Sequence, residues 1–244
     1  MARGWNNENY LTTGFRTSNP STGEVINALY GDLTGGVDKT IYTDYRTGVS
    51  CTGMSVVYLT AGVDTIPSTL VTRTIYVLAP GKYIRTNSIA MNACSAIVGS
   101  SGDVQLYASR GNSYLSYLIA TFSNSKNIII DNIKFDGYND GTGTTHPNIS
   151  YGIYGDKINN STINNISLEN FFYGMYLVNG SFRNKISNVR SYSNISYGIR
   201  QYYSVIHTGN NLYNNIITFN NLNYGMSIEY STHNTVNNIQ SFNN

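Results

Sequence analysis

The chain is poor in charge. Of its 244 residues only 11% are Asp, Glu, Lys or Arg, 15 basic against 13 acidic, for a formal net charge of +2. Phosphate backbones are bound by clustered Lys and Arg, and the basic residues here are scattered singly, so no nucleic-acid partner is expected. No run of about 18 apolar residues occurs, so no membrane insertion is expected. Proline is scarce, with four residues, and there are two cysteines. A bond between Cys51 and Cys94 would close a loop of 43 residues and suit an extracellular setting, whereas two buried thiols would suit any compartment. The opening MARGWNNENY lacks the apolar middle of a secretion signal. That leaves an intracellular protein or an internal piece of a longer one, and the second is the expectation. Low charge often accompanies disorder, but 13% aromatic residues and abundant isoleucine argue for a packed core.

What the chain has in excess is Asn, Tyr and Gly arranged with a period. The phrases YGIYGD from Tyr151, YGMYLV from Tyr173, YGIRQY from Tyr197 and YGMSIE from Tyr224 lie 22, 24 and 27 residues apart. Each is followed by a second phrase, TINNISLEN, KISNVRSYSN, LYNNIITFNN or TVNNIQSFNN, with a pivot at Asn165, Asn188, Asn215 or Asn238. An earlier, more apolar copy, IIIDNIKFDG, has its pivot at Asn132. A period of roughly 20 to 30 residues signals a solenoid. Apolar residues alternate within the phrases instead of recurring every three or four, so the repeated unit is a set of short strands. Stacked coils of short strands make a parallel β-helix.

That architecture gives the Asn a task. Between strands the chain turns sharply through the left-handed region, which Asn tolerates better than any residue but Gly. Coils stack about 4.7 to 4.9 Å apart. Asn132, Asn165, Asn188, Asn215 and Asn238 are therefore expected to form one buried amide ladder. Ile163, Ile186 and Val236, with Ile166, Val189, Ile216 and Ile239, are expected to point inward as aliphatic rows.

The phrase SNSKNIIIDNIKFDG with the later NTVNNIQSFNN resembles the right-handed parallel β-helix repeat family, in the pectate-lyase-like superfamily that includes NosD-type repeats. The upstream TIYVLAPGKYIRTNSIAMNACSAIVGSSGDVQLYAS is similar to the first coils of that superfamily. The resemblance covers about residues 66 to 244. It implies an all-β, right-handed parallel β-helix and says little about activity, because one fold hosts lyases, hydrolases, epimerases, adhesins and accessory proteins. Residues 1–65 are expected to be an irregular lead-in, with one strand at MSVVYL. Irregular coils are expected over 66–150 and regular ones over 151–244. DGYNDGTGTTHPN, from Asp136, is a loop by its turn residues.

The catalytic clusters that the resemblance would imply are absent. Pectate lyases stack acidic residues around calcium and use a basic proton acceptor; polygalacturonases carry Asn-Thr-Asp, an Asp pair and Gly-His-Gly. Asp131 and Asp136 stand in a phrase also found in non-catalytic members. If Ile153, Met175, Ile199 and Met226 point inward, alternation sends Tyr154, Tyr176 and Arg200 outward, with Asp156, Tyr202 and Glu229 two positions along. Asp156 and Glu229 would lie three coils, roughly 14 Å, apart, beyond the roughly 5 to 9.5 Å of glycosidase carboxyl pairs. Arg200 and Glu229 are diagonal neighbours and read as a structural ion pair. His207 and His233 would sit in adjacent coils without a third ligand, and His146 lies in the loop, so neither metal nor cofactor is expected.

The expected role is an extracellular or cell-surface repeat protein acting as a rigid stalk, with polysaccharide contact along the face of Tyr154, Tyr176, Tyr202, Arg200, Glu229 and Asp156, where Arg200 could bind an acidic sugar through two parallel hydrogen bonds. The alternative is a polysaccharide lyase or glycoside hydrolase whose catalytic residues lie in the early coils or beyond this sequence. Further β-helix coils or another subunit are expected against the C-terminal end.

Overall fold

In the computed structural model the described residues are 51, 53–108, 117–121, 125–137 and 150–244, with backbone alone at 108 and 204–208. Most of the lead-in, the loop residues 138–149 and His146 lie outside them. The chain divides into two compact units, Met1–Met54 and Ser55–Asn244. The second is an all-β solenoid of parallel strands, a parallel β-helix.

Its first sheet contains β1 (Ser55–Leu59), β3 (Thr74–Leu78), β6 (Ala96–Gly99), β9 (Ile129–Asp136), β11 (Thr162–Glu169), β13 (Lys185–Tyr192), β15 (Leu212–Phe219) and β17 (Thr235–Phe242), in that order. A branch of β4 (Gly81–Arg85) and β7 (Val104–Ala108) joins it at β9. The second sheet runs β2 (Thr69–Leu70), β5 (Ile89–Met91), β8 (Tyr117–Thr121), β10 (Tyr151–Asp156), β12 (Tyr173–Val178), β14 (Tyr197–Thr208) and β16 (Tyr224–Thr232). The strand read at MSVVYL is β1, which already pairs in parallel with β3.

The branch explains the pivot asparagines. The first half of β9 pairs with β6 and its second half with β7. The corner between the halves is Asn132, at φ 56°. From β9 onward each long strand is two short strands hinged at one left-handed Asn: Asn165, Asn188, Asn215 and Asn238 lie at φ 51°, 53°, 55° and 49°. Other corners repeat the device, at Asn170, Ser193, Asn220 and Asn243, and at Asn127, Asn160, Arg183, Asn210 and His233.

The core lies between the sheets. Ile163, Ile166, Ile186, Val189 and Ile216 are buried and stacked in register, as the alternation requires. Ile153, Met175 and Ile199 are fully buried on the second sheet. In the rows contributed by β17, Val236 is exposed and Ile239 only partly buried. One inward row changes character along the axis: Phe135 and Leu168 are followed in register by Ser191, Thr218 and Ser241. Another aliphatic row is interrupted by Tyr213, opposite Ile186, whose hydroxyl donates to Gln201 Oε1. There four residues of β14 stand opposite one of β16, which accounts for the longer step between Tyr197 and Tyr224. The inserted Tyr203 is fully buried and donates to the Ser181 carbonyl.

Candidate functional site: the tyrosine face

The outer surface of the second sheet carries most of the residues singled out from sequence. Register places Tyr154 beside Tyr176, then Arg200, then Ser227, and Asp156 beside Val178, then Tyr202, then Glu229. Tyr154 and Tyr176 meet at 6.1 Å between ring centroids, tilted by 52°. Tyr202 packs edge-on against Tyr230 at 5.7 Å. Asp156 accepts a hydrogen bond from Asn179 Nδ2 at 2.9 Å.

Strict alternation would put Tyr151 and Ile153 on one side. They lie on opposite sides, because the Tyr-Gly step breaks the alternation. An added Cβ on Gly152, Gly174 or Gly198 would come within 2.6, 2.5 and 2.5 Å of the carbonyl oxygen of the next glycine in the column. The glycines therefore form a close-packed backbone column that admits no side chain, and each preceding tyrosine turns outward. Tyr151, Tyr173, Tyr197 and Tyr224 then stack at 5.3, 5.3 and 5.1 Å with interplanar angles of 9°, 17° and 21°. The sequence reading missed this second row, although it is the first letter of the repeat itself. Tyr176 lies against Tyr151 and Tyr173 with near-parallel planes, and Tyr117 stacks on Tyr154.

Arg200 sits within this array. Its guanidinium lies 4.8 Å from the Tyr197 centroid, 4.9 Å from Tyr202 and 5.7 Å from Tyr176. Nε and Nη2 donate to Glu229 Oε1 and Oε2 at 3.0 and 3.2 Å, and Ser227 Oγ donates to Oε1 at 2.8 Å. The bidentate pair holds the Glu229 carboxyl below its ordinary range. Burial pulls the guanidinium down, but Glu229 outweighs it and the net shift is upward. Burial pushes the Tyr176 phenol up to about 12 and raises Tyr151 and Tyr154 as well, so these hydroxyls stay protonated at neutral pH.

The pivot asparagines form a chain of amide bonds with one slip. Asn132 Nδ2 donates to the Gly99 carbonyl at 2.9 Å, Asn165 to Asn132 at 2.8 Å, Asn215 to Asn188 at 2.7 Å and Asn238 to Asn215 at 3.1 Å. Asn188 donates to Asn164 Oδ1 instead of Asn165, at 2.9 Å. The ladder is also not buried as expected: Asn132 is, but Asn165, Asn188 and Asn238 are exposed and Asn215 is half-buried. These four exposed or half-buried pivots sit at left-handed corners, whereas the buried Asn184, Asn194, Asn211 and Asn221 flank the corners in ordinary backbone.

Two other ladders are the buried ones. Asn184 and Asn211 are 1% exposed; Asn184 N and Nδ2 both donate to Asn211 Oδ1, and Asn211 N donates to Asn234 Oδ1. Asn194 and Asn221, also 1% exposed, repeat this toward Asn244. Each Oδ1 accepts from the coil before it, so every rung closes a backbone N–H that the turn leaves unpaired. Their signal in the sequence is a fixed offset, four residues before and six after the pivots Asn188, Asn215 and Asn238.

Both cysteines are disulfide-bonded. His207 stands opposite Ser231 in register, not opposite His233. His233 is an exposed turn residue at φ 59° whose Nδ1 contacts Thr232 Oγ1. Among the described residues no group of three or more His, Cys, Asp or Glu could hold a metal ion, and no helix is long and apolar enough to cross a membrane. No protein-family model, curated protein or solved structure matches this chain.

Proposed function

We propose that this chain is an extracellular or cell-surface β-helix repeat protein, related to the right-handed parallel β-helix repeat family, that serves as a rigid stalk and contacts polysaccharide through its tyrosine face. The observation that carries the reading is the continuity of the rows. Tyrosines, glycines and three sets of asparagines repeat coil upon coil along one axis, an arrangement suited to a stiff linear body with a repetitive surface. The oxidised state of Cys51 and Cys94 suits an oxidising compartment. The edges of β16 and β17 would accept a further coil of the same repeat, from this chain or another.

The enzyme reading has less support, because Asp156 and Glu229 lie three strands apart on this face. A polysaccharide array with wild type beside Tyr176→Ala, coupled to an assay for reducing and unsaturated ends, tests the choice. Retention that Tyr176→Ala weakens, without released ends, is the expected result. Released ends would move the protein to the lyases or hydrolases, and no retention would leave the stalk alone.

A further inference from the structure

The tyrosine face has two properties that decide what class of glycan suits it. The first is that the ring faces are already used. Tyr151, Tyr173, Tyr197 and Tyr224 cover one another along the coil axis, and Tyr176 lies nearly parallel against Tyr151 and Tyr173. A sugar ring has few free faces to stack on, and what half-buried rings in such a column present to solvent is edge and hydroxyl. Among the described residues, the hydroxyls of Tyr151, Tyr154, Tyr173, Tyr176 and Tyr197 make no hydrogen bond to the protein, unlike those of the buried Tyr83, Tyr203 and Tyr213. Each can both donate and accept a hydrogen bond. They recur from coil to coil at the strand spacing of about 4.8 Å.

The second is charge. The outward positions from Tyr151 to Glu229 carry two carboxylates, Asp156 and Glu229, and one cation, Arg200. Nε and Nη2 of Arg200 are committed to Glu229, and rings pack on its faces. The bidentate edge that would recognise a sugar carboxylate is therefore taken. Lys157, just past the strand end at the corner, is a single exposed ammonium. Arg200 and Glu229 neutralise each other, so an acidic polymer laid along the face would find no free guanidinium edge to pair with and would meet the carboxylate of Asp156.

We infer that the face takes an uncharged, hydroxyl-rich polysaccharide, held by a grid of phenol hydroxyls and not by ring-face stacking, and that the commitment of Arg200 to Glu229 denies acidic polymers a cation to bind. The inference rests on the polysaccharide reading above and narrows it. It also replaces the expectation that Arg200 binds an acidic sugar.

The test is affinity gel electrophoresis of the full chain in gels carrying a neutral glucan, a neutral mannan, polygalacturonate or alginate, with and without added salt. Expected is retardation by a neutral polymer that salt leaves unchanged, since no ion pair is formed. Tyr173→Phe with Tyr176→Phe keeps the stack and removes two hydroxyls. It should weaken retention about 25-fold, about fivefold per hydrogen bond, with an unchanged melting temperature. Glu229→Gln frees Arg200 and should introduce salt-sensitive retardation by the acidic polymers. If the wild type prefers an acidic polymer, the charge argument is overturned while the polysaccharide reading stands. If the double Phe variant binds like wild type, the hydroxyl grid is wrong. If no polymer retards the wild type, the polysaccharide reading itself fails and takes this inference with it.

Discussion

The early coils and the late coils of the solenoid solve one problem in two ways. Wherever a strand turns a corner, backbone groups lose their partners and must find others. Before β9 the partners are individual. Tyr83 hydroxyl reaches the Leu59 carbonyl at 2.7 Å, Arg85 donates to the Ile66 and Asn87 carbonyls, and Asn92 Nδ2 donates to Leu70 at 2.9 Å. The corner between β3 and β4 is Ala79–Pro80, and that between β6 and β7 is four residues, 100–103. After β9 one Asn makes the hinge of each long strand, and from β13 onward asparagines at the same offsets serve in each coil. The difference is legible in composition: β3 and β6 are buried at every position and read as continuous apolar runs, while the late coils hold Ser191, Asn194, Gln201, Asn211, Thr218 and Asn221 inside. A buried polar residue is tolerable there because its neighbour one coil away is its partner.

Asp131, in the strand where the two regimes meet, gives the largest expected effect. It is 2% exposed, and burial pushes its carboxyl from the ordinary 3.8 to about 7, against the hydrogen bonds from Asn164 and the Asn132 backbone. The native state thus holds the proton more tightly than the unfolded chain. The stabilisation is full below about pH 4 and is lost as pH rises through about 7, a swing on the order of 4 kcal/mol. Asp131→Asn should remove that swing and be the more stable protein at pH 8. Urea titrations of both proteins between pH 4 and 8.5 give the difference curve; parallel curves would refute the assignment.

Next come the buried ladders. Asn194→Ala or Asn221→Ala leaves backbone N–H groups of the preceding coil without an acceptor, and each should cost about 3 kcal/mol. Tyr83→Phe in the early coils removes a one-off hydroxyl and should cost about 1.5 kcal/mol. The double Asn variant should cost less than the two singles together, because the rungs share a bond. Strict additivity in a denaturation cycle would mean that the ladder is a row of independent caps. Gly174→Ala places a methyl 2.3 Å from Ser191 Oγ and 2.5 Å from the Gly198 carbonyl, and overpacking of that kind costs about 2 kcal/mol. A wild-type melting temperature would show that the glycine column has room.

How much of this was legible follows from what a repeat reveals. Phase is visible: the recurrence of Asn at φ near 50° and of Ile153, Met175 and Ile199 on one side follows from spacing alone. Depth is not. All the asparagines look alike in a sequence, and a period does not encode which of them make the left-handed corners and which lie beside the corners with their amides in the core. The pivots looked central because apolar residues flank them, yet the buried ladders stand four residues before and six after. The tyrosine row was hidden for another reason: alternation was carried through the glycine, where the backbone column breaks it. The Arg200–Glu229 pair was legible because a diagonal between neighbouring strands needs only register.

The smallest effect is at the pivots, and it separates corner geometry from ladder bonding. Asn188 is exposed; its amide donates to Asn164 and accepts from Asn215, both in reach of water. Losing hydrogen bonds that water can replace costs little. What remains is the backbone: at φ 53°, Ala pays about 1 kcal/mol that Asn largely avoids and Gly does not pay. Asn188→Ala should therefore destabilise by about 1 kcal/mol and Asn188→Gly by only a few tenths. The same pair of substitutions at buried Asn194, where φ imposes no such demand but four side-chain hydrogen bonds are lost, should cost about 3 kcal/mol for either residue. If Gly is as costly as Ala at Asn188, the amide chain and not the corner is what the pivot contributes, and the exposed ladder would rank with the buried ones.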